Sequence, residues 1–206
     1  MIGDKILGEV MKSKLVGFMG APGTGKTTLS CAMKEYLLKR GVSSDICTEY
    51  AREFCFKYGI PKHPYTQYRV TTQQIAREDL LMKGTSDFIF SDSPIWLGYI
   101  YSLVSMQSDF DKEIHTALSD LYERFVINHI NRYHMVFHLK NSNPFDDGCR
   151  DMAMNKKIAD IIDGFVQSHQ HFLPIVTMDI EITETEKRKK FVWDRINPKK
   201  RTVKNK

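Results

Sequence analysis

The sequence predicts an α/β fold, a parallel sheet of five strands flanked by helices, and two observations predict it. Short runs rich in β-branched and aromatic residues alternate with helix-length stretches along nearly the whole chain, which is the pattern of βαβ units around a parallel sheet. The 206 residues, 42% hydrophobic and 27% charged, are enough for one core and fit one domain, and they exclude a wholly disordered chain.

The strands are expected at 15–19, 44–48, 88–91, 135–139 and 175–178, each short and rich in β-branched or aromatic residues. Residues 26–40 place Leu29, Met33, Tyr36 and Leu37 on one helical stripe that stops at Gly41. A second helix is expected at 71–83, with Ile75, Asp79 and Met82 on one stripe, and Pro94 opens a third that carries Trp96, Tyr99, Ile100 and Leu103. Residues 114–130 and 152–172 are long enough for two more, while NSNPFDDGCRD at 141–151 must be a loop. The four cysteines, Cys31, Cys47, Cys55 and Cys149, form no C-x-x-C pair and are expected to be free thiols. The seven histidines show no metal-ligand spacing beyond H-x-H at His169 and His171, which a helix would point to different faces.

No apolar run approaches the roughly 18 residues of a membrane span, and the first residues carry charges where a signal peptide needs an apolar core. A cytoplasmic location is expected. The formal charge of +5 is unevenly spread: residues 187–206 hold ten basic side chains against Asp194 alone, a net of +9, leaving −4 on the rest. Such an end attracts a polyanion or serves as a solvated tail, and 183–196 can form a helix.

The most specific signal is GAPGTGKT at residues 20–27, directly after the first strand and before a helix. It satisfies G-x-x-x-x-G-K-[ST], a phosphate-binding P-loop. Its glycines, Gly20, Gly23 and Gly25, let successive backbone N–H groups face a polyphosphate, with Ala21, Pro22 and Thr24 between them and Thr28 in the first helical turn. Lys26 is placed to reach the β and γ phosphates, and the Thr27 hydroxyl to ligate Mg²⁺.

Ligands in open α/β sheets sit beyond the carboxyl ends of the strands. Strand two runs into Glu49, Tyr50, Ala51, Arg52 and Glu53, and strand three into Asp92, Ser93 and Pro94. Glu49 and Asp92 would thus share a crevice with Lys26, one carboxylate suited to a metal and the other to a proton. In the loop after strand four, Arg150 is placed to swing over the phosphates.

The P-loop, TEYARE after strand two, TTQQIARED, DSP after strand three and DDGCR together resemble the P-loop nucleoside and nucleotide kinases, including thymidylate-kinase-like and nicotinamide-riboside-kinase-like domains, over about residues 14–180. The resemblance implies a three-layer P-loop fold with sheet order 2-3-1-4-5, ATP and Mg²⁺ as cosubstrate and metal, and a lid at about 141–151 whose arginine would be Arg150. It also implies that Glu49 is the general base, with Asp92 as rival, that Thr27 and Asp92 hold Mg²⁺, and that Gln73, Gln74 and Arg77 hold the acceptor base. Thymidylate kinases carry an arginine directly after the strand-three acid, where this chain has Ser93. That loss favours a hydroxyl acceptor over a phosphate one, although Arg52 or Arg77 is able to supply charge.

A narrower resemblance is to bacteriophage kinases that phosphorylate 5-hydroxymethyluracil within DNA. It implies a DNA partner gripped by the basic segment at 183–206, host cytoplasm as the location, and Tyr65, Tyr68, Trp96 and Tyr99 as candidates for stacking a flipped base. The alternatives are a soluble nucleoside or nucleoside monophosphate acceptor, and a nucleotide-binding switch with no acceptor other than water.

Overall fold

The computed structural model describes residues 13–104, 112–114, 116–117, 132–140, 152–181 and 183–197. Five parallel strands, β1 (Lys14–Met19), β2 (Ser44–Cys47), β3 (Phe88–Ser91), β4 (Met135–Leu139) and β5 (Ile175–Met178), form one sheet in the order β2-β3-β1-β4-β5. In the middle strand, Val16 is in register with Phe90 on one side and Met135 on the other. Burial on both faces explains why β1 is apolar almost throughout.

Alternation along β1 divides the core. Leu15 and Met19 join Ile89, Trp96, Ile100, Ile162 and Phe165 on one face of the sheet. Val16 and Phe18 join Leu29, Met33, Phe90, Phe137, Val192 and Ile196 on the other. The first face is covered by α3 (Pro64–Met82), α4 (Trp96–Val104) and α5 (Met152–His169), the second by α1 (Lys26–Leu38) and α6 (Thr185–Ile196). Most of the basic segment that lies among the described residues is therefore packed helix: Val192 and Ile196 are fully buried, and Trp193 meets Tyr36 of α1 edge to face at 6.3 Å. Trp96 sits in the core against Tyr133 and Phe165, away from solvent.

Two helices differ from expectation. α2 (Tyr50–Tyr58) follows β2 directly and buries no residue, so it leaves no apolar stripe to read. α3 starts at Pro64, seven residues before the expected 71, because proline at the first helical position needs no N–H partner. The expected helix at 114–130 falls mostly outside the described residues, as does the loop at 141–151.

A buried polar network fixes α3 to the sheet. Glu78, fully buried, accepts hydrogen bonds from Ser91 Oγ (2.7 Å), Tyr133 Oη (2.9 Å) and Arg132 Nε (2.8 Å). Arg132 also reaches Asp79 Oδ1 at 2.7 Å and the Ile75 carbonyl at 3.2 Å. Tyr133 Oη in turn accepts the Ile95 N–H at 2.9 Å. Burial raises the Glu78 carboxyl above its usual value, while Arg132, Ser91 and Tyr133 oppose the rise. Where α3 crosses α4, a Cβ on Gly98 would lie 1.7 Å from Thr71 Oγ1. Gly98→Ala is accordingly expected to lower stability by about 1–3 kcal/mol, measured by urea unfolding; an unchanged midpoint would mean that Thr71 swings aside at no cost.

Candidate nucleotide and acceptor site

β1 ends at Met19, and from Gly20 the chain turns tightly into α1. A Cβ on Gly20 would stand 2.7 Å from the Leu139 carbonyl oxygen of β4 and 2.8 Å from Thr24 Oγ1. Gly23 and Gly25 hold φ of 78° and 82°, left-handed values that L side chains rarely adopt, and Gly25 is the N-cap of α1. The Thr24 hydroxyl donates to the Ala21 carbonyl at 2.9 Å and braces the turn. Lys26 folds back so that its Nζ donates to the carbonyls of Gly20 (2.9 Å) and Ala21 (3.1 Å). The loop thus forms a cradle at a helix N-terminus, the arrangement that accepts polyphosphate. Gly20→Ala is expected to weaken ATP binding at least ten-fold by pushing the loop off Leu139. Titration calorimetry checks this, and a wild-type dissociation constant would show that the seat tolerates a methyl group.

Arg188 of α6, 2% exposed, donates to the Thr24 carbonyl at 2.9 Å and, through Nε and Nη2, to the Ile180 carbonyl at 2.9 and 2.7 Å. Burial lowers its pKa from the usual arginine value, and the Glu181 charge opposes that. The phosphate loop is therefore held from behind by the C-terminal helix.

At the end of β3, Asp92 Oδ2 accepts the Thr27 hydroxyl at 2.8 Å. Burial pushes the Asp92 carboxyl above the usual carboxylate range; the Thr27 hydrogen bond opposes this, the Glu49 charge adds to it, and the Lys26 and Arg52 charges oppose it. Its Oδ1 is buried and makes no hydrogen bond among the described residues. A hydroxyl and a carboxylate side by side, with one carboxylate oxygen unsatisfied, fit a water-coordinated Mg²⁺.

Glu49 is the N-cap of α2, in an extended conformation, and its carboxylate makes no capping hydrogen bond. It faces a pocket of about 20 Å³ whose walls include Gln67, Thr71 and Gln74 of α3, Ser93, and Gly98 and Tyr101 of α4. Gln74 ties this corner together: its Oε1 accepts the Tyr50 N–H at 2.8 Å and its Nε2 donates to Cys47 Sγ at 3.3 Å. Burial pushes the Cys47 thiol up to about 12, with the Glu78 and Asp92 charges adding.

The structure thus gathers Gly20, Ala21, Pro22, Gly23, Thr24, Gly25, Lys26, Thr27, Glu49 and Asp92 at one end of the sheet, with Gln74 in the pocket wall. Thr28 is exposed in the first turn of α1. Arg77 pairs with Glu53 and lays its guanidinium 4.6 Å from the Tyr50 ring centre, while Gln73 is exposed and does not line the pocket. Arg52 is exposed on α2. Arg150 lies outside the described residues. Gln67, Thr71 and Arg188 are contributions that the sequence reading missed.

A phosphate cradle between a central strand and its helix, with a threonine–aspartate pair at the neighbouring strand end, defines a P-loop NTPase domain. Residues 15–182 match the family described as AAA domain, and the chain belongs to that family. No curated protein sequence matches the chain. Among solved structures, it is similar to NadR protein in complex with NAD and AMP-PNP, with a TM-score of 0.68 and 16% identity over 89% of this chain and 49% of that one. NadR protein in complex with NR gives 0.69 and 19% over 89% and 51%. Deoxyadenosine kinase from M. mycoides with bound dATP gives 0.60 and 14% over 89% and 99%. This chain spans about half the length of the NadR chains it matches. At these identities the likeness is one of fold.

Proposed function

We propose that this domain is a kinase that moves the γ-phosphate of ATP to a hydroxyl group on a nucleotide acceptor. The observation that carries the reading is Glu49: a carboxylate at the end of β2, unused by helix capping, faces a pocket beside Asp92 and the phosphate loop. A hydrolysing switch would use that carboxylate on water instead, so transfer to an acceptor is what separates the two readings.

In this reading the loop amides and Lys26 hold the triphosphate, Lys26 leaving the carbonyls of Gly20 and Ala21 for the β and γ phosphates. Thr27 and Asp92 would hold Mg²⁺, which supplies charge neutralisation on the phosphates. Glu49 takes the proton of the acceptor hydroxyl as its oxygen bonds to the γ-phosphorus, and the bond from that phosphorus to the β,γ-bridging oxygen breaks to release ADP. Arg150 is the proposed lid cation, Gln67, Thr71 and Gln74 are polar groups that line the acceptor pocket, and Arg77 lies outside that lining. The pocket has room for a single water.

The leading acceptor is 5-hydroxymethyluracil in DNA, giving a phosphomethyl base; Ser93 in place of a clamping arginine and the basic C-terminal residues support it. A free nucleoside or nucleoside monophosphate is the second reading, favoured by the fold likeness to a deoxyadenosine kinase that is covered over its whole length. Transfer of labelled γ-phosphate to hydroxymethyluracil DNA, to thymine DNA and to a mixture of free nucleosides and monophosphates separates them. Label in the first polymer alone is the expected result, and label only in the small molecules overturns it. Because Arg188, Val192 and Ile196 are buried, a truncation that removes the tail without opening the core starts after Asn197.

A further inference from the structure

We infer that the surface formed by α2 and the first turns of α3 is a docking surface for single-stranded DNA that leads into the acceptor pocket. The inference rests on the polymer-acceptor reading above, but it is argued from a different part of the molecule.

Large apolar side chains are concentrated here at the surface: Phe56 is 81% exposed, Tyr58 62%, Ile60 60% and Tyr65 57%. None of the four is buried against the described residues. Three rings climb one face of α2 at helical spacing, Tyr50 to Phe54 at 6.4 Å between centres and Phe54 to Tyr58 at 5.0 Å. Cations sit over both ends of this ladder, the Arg77 guanidinium over Tyr50 and Lys57 Nζ at 5.1 Å over Tyr58. The ladder starts beside Glu49 and ends in an open groove of about 750 Å³ lined by Phe54, Tyr58, Ile60, Lys62, His63 and Arg69 among others.

Charge selects the occupant. From Phe54 to Arg77 the chain has no acidic residue and four fixed cations, Lys57, Lys62, Arg69 and Arg77, and the adjoining acid, Glu53, is paired with Arg77. An apolar protein partner would be poorly matched to that cationic rim, whereas a single strand offers phosphates to the cations and unstacked bases to the rings. Duplex DNA keeps its bases inside and would leave the rings unused. The groove also shares a wall with the pocket: Gln67 Nε2, which lines the pocket, donates to the carbonyl of Pro61, which lines the groove, at 3.1 Å. A strand stacked along the ladder from the groove to Tyr50 would bring one nucleotide beside Glu49.

The test is binding of the full chain to fluorescent dT20, rU20 and a duplex, read by anisotropy at several salt concentrations. Tyr58→Ala and Phe54→Ala, both in the ladder and in the groove lining, leave every charge in place, including those of the C-terminal tail, so a loss reports stacking and not the tail. Each is expected to weaken dT20 binding about ten-fold with no change in melting temperature. Lys62→Gln with Arg69→Gln is expected to lower the salt dependence by the equivalent of about two phosphate contacts. Leu38→Ala, an equally exposed apolar side chain on α1, is expected to change nothing.

Wild-type binding to dT20 that survives the aromatic substitutions, no dT20 binding at all, equal affinity for rU20 or the duplex, or self-association that Phe56→Ala abolishes would each overturn the inference. Failure of the kinase reading looks different: dT20 binds through this surface while no DNA, with or without hydroxymethyluracil, accepts phosphate.

Discussion

Glu49→Gln is expected to lower phosphate transfer by about 10²–10⁴-fold while leaving nucleotide affinity unchanged. Glutamine keeps the size and hydrogen-bonding outline of the side chain but takes no proton, so the acceptor hydroxyl must react without its base. The α2 N-terminus does not suffer, because the Glu49 side chain makes no capping bond there. Asp92→Asn makes the contrast. Asp92 accepts the Thr27 hydroxyl and has a second, unsatisfied oxygen, so its loss is expected to appear first as weaker binding of ATP in Mg²⁺. Single-turnover transfer and titration calorimetry, run on both variants, separate the two carboxylates. Transfer at the wild-type rate in Glu49→Gln, with a collapse in Asp92→Asn at saturating ATP, would pass the role of base to Asp92.

The largest expected effect on stability comes from the other end of α3. Arg132→Met should cost about 3–5 kcal/mol, because it leaves Glu78 buried and charged without its cation. The Arg132 side chain is 6% exposed and that of Glu78 not at all, so water cannot replace the lost partner. The deficit should depend on pH. Burial already raises the Glu78 carboxyl in the folded state, and loss of Arg132 raises it further. A carboxyl raised on folding stabilises the protein when protonated, and that contribution disappears as pH climbs through the folded pKa. The variant is therefore weakest at neutral pH and recovers towards wild type on acidification. Adding Glu78→Gln to Arg132→Met should restore part of the stability by removing the stranded charge. Urea unfolding at two pH values checks both statements; a deficit that ignores pH and the second substitution would mean that the arginine acts only by packing.

The phosphate cradle was legible because its spacing is set by backbone geometry alone: two left-handed glycines, and one with a carbonyl at its back, leave little choice of residue. The inner strands were legible because β1 and β3 are buried on both faces, so each reads as an apolar run, whereas β2, SDIC, is only half-buried. α2 was not, since a helix with no buried residue obeys only its neighbours' demand for a connection. The sequence points Gln74 at the acceptor, yet both ends of its amide are taken up by Tyr50 and Cys47, partners 24 and 27 residues away that no local pattern connects. Arg188 stood hidden in a run of four cations, Lys187, Arg188, Lys189 and Lys190. Only helical phase, with Val192 and Ile196 at four-residue steps on the buried side, separates it from its neighbours.

That arginine also sets an order of events during synthesis. The Thr24 carbonyl and the guanidinium that seats it are 164 residues apart in the chain. While the ribosome is still extending the chain, the loop and the first helix are available, but the side chain that braces them has not emerged. Closing so long a loop comes late, since local contacts form before distant ones. The nascent protein should therefore form β1, β2 and β3 before it gains a finished phosphate seat.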